Sequence, residues 1–129
     1  MTEPLGIREL ADRTGVSAHT LRYYEAAGLM IPVPRDRRRR RAYTEEHVRW
    51  VAFLLRLRDG GMRIARVREY AALTRTRSQA GQRRRLAILR AHRDELCERI
   101  ARLTDHLEVL ERKVAGGCAP DLVPKRSRR

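Results

Sequence analysis

The sequence of 129 residues has little cysteine, lysine or aromatic content and no long apolar run. Its two cysteines, Cys97 and Cys118, are too few for a disulfide framework, which excludes a disulfide-stabilised scaffold. No apolar stretch approaches the length of about 18 residues that a transmembrane helix needs, and the N-terminus lacks the apolar stretch of a signal peptide. We therefore expect a cytoplasmic protein with no membrane partner.

The charge that is present comes almost entirely from arginine. Lysines and arginines number 30 against 16 acidic residues, a net charge of +14, and the lysines are Lys113 and Lys125 alone. Because a guanidinium group binds two phosphate oxygens at once, such a surface suits nucleic acid. Five adjacent arginines, residues 37–41, repel one another unless a polyanion lies nearby. They form either a solvated loop or a phosphate-contacting loop, and their place between two patterned segments favours the second interpretation.

Two short helices joined by a glycine-containing turn are expected near the N-terminus. Apolar residues at helical spacing predict a first helix over residues 5–13, and Gly15 suits the tight turn that follows. Ser17 is a good N-cap for a second helix over residues 18–27. This arrangement is typical of the helix-turn-helix motif, expected over about residues 6–26.

A hairpin and two more helices are expected next. Residues 31–43 predict a short β-hairpin with a basic tip. Thr44 is expected to cap a third helix that runs to about Asp59, and a fourth helix is expected from about Arg63 to Leu73. With the preceding motif these elements predict a winged helix-turn-helix DNA-binding domain over residues 1–75, in a mainly α-helical chain.

A long helix is expected over residues 82–115, about 50 Å at about 1.5 Å per residue. Its apolar residues follow a 3-4-3-4 spacing with one polar interruption at Arg93, which is typical of a coiled coil. The rest of the chain is too small to cover this length, so the seam is expected to pair with a second copy; the alternative is a helix folded back on its own domain. Residues 116–129 are expected to form a basic, flexible tail. The predicted dimerisation residues are Leu86, Leu89, Leu96, Ile100, Leu103, Leu107, Leu110 and Val114.

Several of these stretches together resemble the MerR family of bacterial transcription regulators. The most specific is His19-Thr20-Leu21-Arg22-Tyr23-Tyr24-Glu25, followed by Gly28-Leu29. The resemblance implies a winged helix, a homodimer joined by an antiparallel coiled coil, distortion of promoter DNA, and RNA polymerase as a partner at the promoter. Residues 86–114 are most similar to a small subgroup linked to aldehyde and electrophile stress.

The sequence departs from the pattern of this family in three ways. Its usual Gly-Tyr before the wing arginine is Arg39-Arg40 here, so a different tip of the hairpin is expected. Its usual serine at the start of the fourth helix is Arg63, which removes a cap and adds a candidate phosphate contact. The sensing cysteine of the stress subgroup corresponds to Arg56, so thiol sensing at that position is excluded.

The residues expected to contact DNA lie in the second helix, the hairpin and the start of the fourth helix. Arg22 can place its guanidinium fork on a guanine edge or a phosphate, and Tyr23 can donate its hydroxyl group to a phosphate. Tyr24 lies on another face and is either a core or a surface residue. The full set is Ser17, His19, Thr20, Arg22, Tyr23, Arg35, Arg38, Arg41, Tyr43, Arg63 and Arg66.

No metal, cofactor or catalytic site is predicted. A thiolate metal site needs at least two neighbouring sulfurs, whereas Cys97 and Cys118 are more than 20 residues apart, and Cys97 is expected to be semi-buried. Cys118, beside the basic tail, is a candidate redox-active or electrophile-reactive thiol. The leading function is a dimeric transcription regulator that responds to an unknown small molecule or stress signal; the alternative is an effector-independent architectural DNA-binding protein. No constellation typical of an enzyme is present.

Overall fold

The computed structural model describes residues 4–117. Within them the structure is mainly helical, and its β content consists of two isolated antiparallel bridges, between Leu5 and Tyr43 and between Arg35 and Arg41. The chain divides into two units between His92 and Arg93, inside the last helix. The helices are α1 (Ile7–Thr14), α2 (Ala18–Ala26), α3 (Glu45–Asp59), α4 (Ile64–Leu73) and α5 (Gln79–Ala115).

The helix-turn-helix motif forms as the sequence predicts. Gly15 ends α1 with φ of 75°, a left-handed conformation that glycine adopts without steric cost. The hydroxyl group of Ser17 accepts a hydrogen bond from the backbone N–H of Thr20 at 3.1 Å, which satisfies one of the unpaired donors at the start of α2. The second helix is therefore held at a defined angle to the first.

One hydrophobic core joins the first four helices. Leu10 of α1, Leu21 of α2, Leu54 of α3 and Val67 of α4 are completely buried. Each such side chain stabilises the fold by about 1.5–3 kcal/mol relative to an exposed one. The core supports α2 from behind and leaves its opposite face open to solvent.

The irregular backbone after α2, residues 27–33, is held by side chains of α3. Trp50 donates its indole N–H to the Leu29 carbonyl at 2.9 Å, and its ring stacks on Tyr70 with 5.9 Å between ring centroids. His47 lies 2.8 Å from the Pro32 carbonyl through Nε2, and its Nδ1 accepts the backbone N–H of Thr44 at 3.0 Å. Since a carbonyl only accepts, Nε2 is the donor and the imidazole is held in one tautomer.

The first part of α5 packs against the core of its own domain. Ile88 is buried there, and Leu89 is partly buried against the same cluster. The structure therefore corrects the expectation that Leu89 belongs to a seam facing a second chain, and the fold-back alternative holds for this part of the helix. For the same reason the first compact unit reaches His92 and not residue 75. Heptad spacing marks an apolar stripe but does not say which chain covers it.

The second unit is described as far as Gly117 and consists of the remainder of α5. Its seam residues Ile100, Leu103, Leu107, Leu110 and Val114 are all largely exposed in the single chain. Cys97 is exposed in the single chain, and its expected packing beside the seam stays a prediction for the dimer. Cys118 and most of the predicted tail lie outside the described residues. Among the described helices, none has the length and hydropathy required to cross a bilayer.

We expect Trp50→Phe to lower the free energy of unfolding by about 1–3 kcal/mol, because the phenyl ring can still stack on Tyr70 but leaves the buried Leu29 carbonyl without its donor. Urea unfolding followed by far-ultraviolet circular dichroism measures the change. An unfolding free energy equal to that of the wild type would show that this hydrogen bond does not stabilise the fold.

Candidate nucleic-acid interface

The outer face of α2 carries the polar side chains that the sequence assigned to DNA. Ser17, His19, Arg22 and Tyr23 are exposed, and Thr20 is partly exposed. Tyr24 is buried in the core, which settles its open assignment in favour of packing. The helix therefore presents a short polar surface with Arg22 in the middle of it.

The predicted hairpin forms around a turn made by Asp36. The two sides of the turn are joined at the isolated Arg35–Arg41 bridge, and the backbone N–H of Ala42 donates to the Pro34 carbonyl at 2.8 Å. One carboxylate oxygen of Asp36 accepts the backbone N–H groups of Arg38 and Arg40, at 2.8 and 2.9 Å. The hydrogen bond from the Arg40 N–H is the main reason that the pKa of Asp36 lies below its ordinary value.

Arg39 occupies the position in this turn where the family pattern has glycine. Its φ is 69°, in the left-handed region that costs a residue with a Cβ atom about 1–2 kcal/mol. Its carbonyl accepts a hydrogen bond from the guanidinium group of Arg35 at 2.8 Å. The tip of the hairpin therefore contains a left-handed residue, and an arginine, not a glycine, adopts that conformation.

Between α2 and the hairpin lies an open cleft of about 750 Å³. Its polar lining consists of five arginines and one glutamate, and the described backbone at the start of α1 closes one side. The cleft brings together three residues that the sequence assigned to DNA, Arg22, Arg35 and Arg41. Many guanidinium groups around one concave surface make a site for a polyanion. The lining residues are Gly6, Ile7, Arg22, Glu25, Ala26, Arg35, Arg39, Arg40 and Arg41.

Glu25 is the acidic residue of this cleft and connects α2 to the hairpin. Its carboxylate accepts a hydrogen bond from Nε of Arg41 at 2.7 Å, which raises the pKa of Arg41. Sequence analysis missed this role, although Glu25 belongs to the most specific stretch of the family resemblance. Arg41 is therefore oriented by a carboxylate and is only partly available to a phosphate.

Tyr43 is the clearest error among the predicted DNA contacts. It is completely buried, its backbone pairs with Leu5 in both directions, and its hydroxyl group donates to Glu25 at 3.4 Å. Its ring meets His47 edge to face. Burial raises the pKa of Tyr43 and the nearby Glu25 adds to the effect. The local sequence around Tyr43 could not reveal its burial, because the bridge to Leu5 joins it to a distant part of the sequence.

Arg63 and Arg66, the candidates at the start of α4, are placed differently from the cleft. Arg63 is exposed at the N-cap position and its side chain makes no capping hydrogen bond, as expected from the missing serine. Arg66 is exposed but pairs with Glu69 at 3.2 Å, and Glu69 also binds Arg84 of α5 at 2.6 Å. Neither residue lines the cleft.

Among the described residues, no group of three or more histidine, cysteine, aspartate or glutamate side chains is arranged to hold a metal ion. The candidate thiol Cys118 lies outside those residues, so its surroundings are not described.

The fold and the basic cleft define a winged helix-turn-helix protein of the DNA-binding class. The family model described as "MerR HTH family regulatory protein" matches residues 5–74, and the model "MerR, DNA binding" matches residues 48–113. The chain belongs to the MerR family of transcriptional regulators.

Curated relatives agree with this assignment. The chain is 33% identical over 117 residues to the "Heavy metal-dependent transcription regulator 2" of Rhizobium meliloti. This match covers 91% of this chain and 78% of that protein. It is 39% identical over 69 residues to the "HTH-type transcriptional regulator AdhR" of Bacillus subtilis. This match covers 54% of this chain and 49% of that protein. The match thus spans about half the length of that second relative.

A solved structure is similar over nearly the whole chain. It is described as the crystal structure of HiNmlR, a MerR family regulator lacking the sensor domain, bound to promoter DNA. The TM-score is 0.75 with 30% sequence identity, and the match covers 89% of each chain.

We expect the Arg39→Gly variant to be more stable than the Arg38→Gly variant, with a free energy of unfolding about 1–2 kcal/mol higher. Both variants remove one cation from the tip of the hairpin, but only residue 39 has a positive φ, which glycine adopts freely. Urea unfolding of the two variants at the same protein concentration measures the difference. Equal stabilities would show that the left-handed conformation of Arg39 carries no cost.

Proposed function

We propose that this regulator binds a specific promoter sequence as a homodimer, distorts the DNA there, and changes transcription with RNA polymerase in response to a small-molecule or stress signal. The observation that carries the proposal is the cleft in which Arg22 of α2 meets the arginines of the hairpin. The similar HiNmlR structure, which is bound to promoter DNA, supports the same partner. Because promoter DNA is the proposed partner, we propose that the regulator acts in the cytoplasm.

Arg22 is proposed to read bases, because it lies at the middle of the exposed face of α2 and its fork matches the O6 and N7 acceptors of guanine. Ser17, His19 and Thr20 are proposed to contact DNA from the first turn, where N–H groups and short polar side chains meet phosphates. The exposed Tyr23 is proposed to donate its hydroxyl group to a phosphate.

The hairpin arginines are proposed to neutralise phosphates. Arg35 and Arg38 are exposed; Arg35 precedes the Asp36 turn and Arg38 lies within it. Arg41 contributes its remaining N–H groups, with its orientation set by Glu25. Arg63 and Arg66 are proposed as outer phosphate contacts, and Arg66 would exchange part of its bond to Glu69 for DNA.

The homodimer is proposed to form through the seam of α5 from Leu96 to Val114, as an antiparallel coiled coil. Apolar side chains repeat there on a 3-4-3-4 spacing; Leu96 is partly exposed in the single chain and those from Ile100 onward are largely exposed. Covering such a stripe with an identical one removes it from water without adding a charge to the interface.

The signal is proposed to act without a thiolate metal centre within this chain. The relative from Rhizobium meliloti is named for heavy-metal dependence, but this chain has two cysteines, and among the described residues Cys97 belongs to no group of three or more possible metal ligands. Chemical modification of Cys118 is the proposed thiol-based alternative. Footprinting across the chain's own upstream region tests regulation: one site between promoter elements supports it, and many weak sites indicate an architectural protein.

We expect Arg22→Ala to weaken binding to the specific site by about 1–3 kcal/mol with little loss on a scrambled duplex, because a base contact is lost. Arg38→Ala should weaken both duplexes alike and reduce the slope of log K against log salt by about one, because one phosphate contact is lost. Fluorescence anisotropy over a salt series measures both. The opposite pattern would exchange the roles of the helix and the hairpin.

We expect Leu103→Asp to give a monomer and Val109→Asp to leave the dimer intact. Both residues are apolar and similarly exposed in the single chain, at 66% and 54%, but only Leu103 lies in the seam. An aspartate in the seam would be buried without a partner on dimerisation, which is costly. Light scattering coupled to size exclusion measures the mass. A dimeric Leu103→Asp protein would place the interface elsewhere.

A further inference from the structure

The segment between the two DNA-binding elements, residues 27–33, has no regular structure of its own. Three of its carbonyl groups accept hydrogen bonds from side chains that lie far away in the sequence. Trp50 and His47 of α3 hold Leu29 and Pro32, and Arg68 of α4 donates from Nε to the Ala27 carbonyl at 2.8 Å. The end of α2 and the beginning of the hairpin are therefore fastened to α3 and α4.

The Ala27 carbonyl lies just beyond the reach of the local capping motif of α2. Gly28 has φ of 78°, its N–H donates to the Glu25 carbonyl at 3.2 Å, and the N–H of Leu29 donates to the Tyr24 carbonyl at 2.8 Å. This motif satisfies the carbonyls of Tyr24 and Glu25. Arg68, which is 41 residues further along the chain, supplies a donor for the carbonyl of Ala27.

Arg68 also contacts the glycine that follows. A Cβ atom on Gly28 would lie 3.5 Å from Cγ and 3.7 Å from Cδ of Arg68, so the arginine stem lies across the end of α2. Its guanidinium group stands at the negative end of the helix dipole, where a cation is stabilising. The neighbouring Glu69 is bound to Arg84 of α5, so α4 is itself anchored from the other side.

We propose that Arg68 is a positioning residue for α2: it sets the angle at which α2 presents Arg22 and thereby determines sequence discrimination, without touching a base. This inference rests on the proposed sequence-specific binding. Trp50 and His47 are buried, so their loss acts on the whole fold, whereas Arg68 is exposed and its loss acts on the placement of one helix end.

The test compares Arg68→Met, which keeps the stem and removes the donor and the charge, with Arg68→Lys, which keeps the charge and a donor. The matched charge control is Arg102→Met on the exposed face of α5. The probes are a duplex selected by the wild-type protein from a randomised library and a scrambled duplex of the same length. Because α2 then loses the contact that fixes its C-terminal end, we expect Arg68→Met to bind the selected duplex about tenfold more weakly.

The scrambled duplex should lose no more affinity with Arg68→Met than with Arg102→Met, and Arg68→Lys should recover part of the discrimination. Equal loss on both duplexes, with a salt slope reduced by about one, would make Arg68 a phosphate contact and overturn the proposal. If Arg68→Met folds poorly, Arg68→Lys decides: discrimination below that of the wild type, with unchanged affinity for the scrambled duplex, would support the proposal, and affinities equal to the wild type on both duplexes would overturn it.

Hydrogen exchange without DNA separates this inference from the proposed function. In Arg68→Met the amides of Ala27, Gly28 and Leu29 should exchange faster than in the wild type, while those of α1 should not change. Unchanged exchange at these amides would overturn the positioning role. A wild-type protein that selects no sequence, with faster exchange in the variant, would refute sequence-specific binding and leave the link between Arg68 and α2 supported.

Discussion

The carboxylate of Glu25 makes the contacts on which the candidate DNA-binding surface, the cleft between α2 and the hairpin, depends. It lies in a cleft lined otherwise by five arginines, binds Arg41 at 2.7 Å, and receives the hydroxyl group of the buried Tyr43. Without an anion at this point, the cations of α2 and of the hairpin would repel one another across the cleft. One acidic side chain thus joins the two elements.

The backbone behind that surface obeys a second constraint, the need to pair its carbonyl groups, of which that of Leu29 is buried. The chain between α2 and the hairpin forms no β pairing along these residues, so its carbonyls take donors from α3 and α4. This explains why an indole and an imidazole occupy the inner face of α3, where aliphatic side chains alone would fill the space but leave those acceptors unpaired. The helices α3 and α4 therefore hold the end of α2, the helix proposed to contact DNA.

The long helix α5 divides between two environments. Its beginning contributes Ile88 and part of Leu89 to the core of the first unit, and Arg84 binds Glu69 of α4. Beyond His92 the apolar side chains from Ile100 to Val114 are largely exposed in the single chain, and Leu96 is partly buried. The same heptad spacing therefore runs through a covered part and an open part of one helix.

The amino-acid sequence determined the elements that depend on neighbours along the chain: the helix-turn-helix, the Ser17 and Thr44 caps, the turn at Gly15 and a hairpin within residues 31–43. Local hydrogen bonds and helical periodicity produce these features, so a linear pattern predicts them. Only the tertiary structure decided that Tyr43 is buried, that Glu25 orients Arg41, that Arg68 holds the end of α2, and that Leu89 faces its own core. Each of these contacts joins residues distant in sequence or depends on which surface covers an apolar stripe, and spacing along one chain carries no information about either.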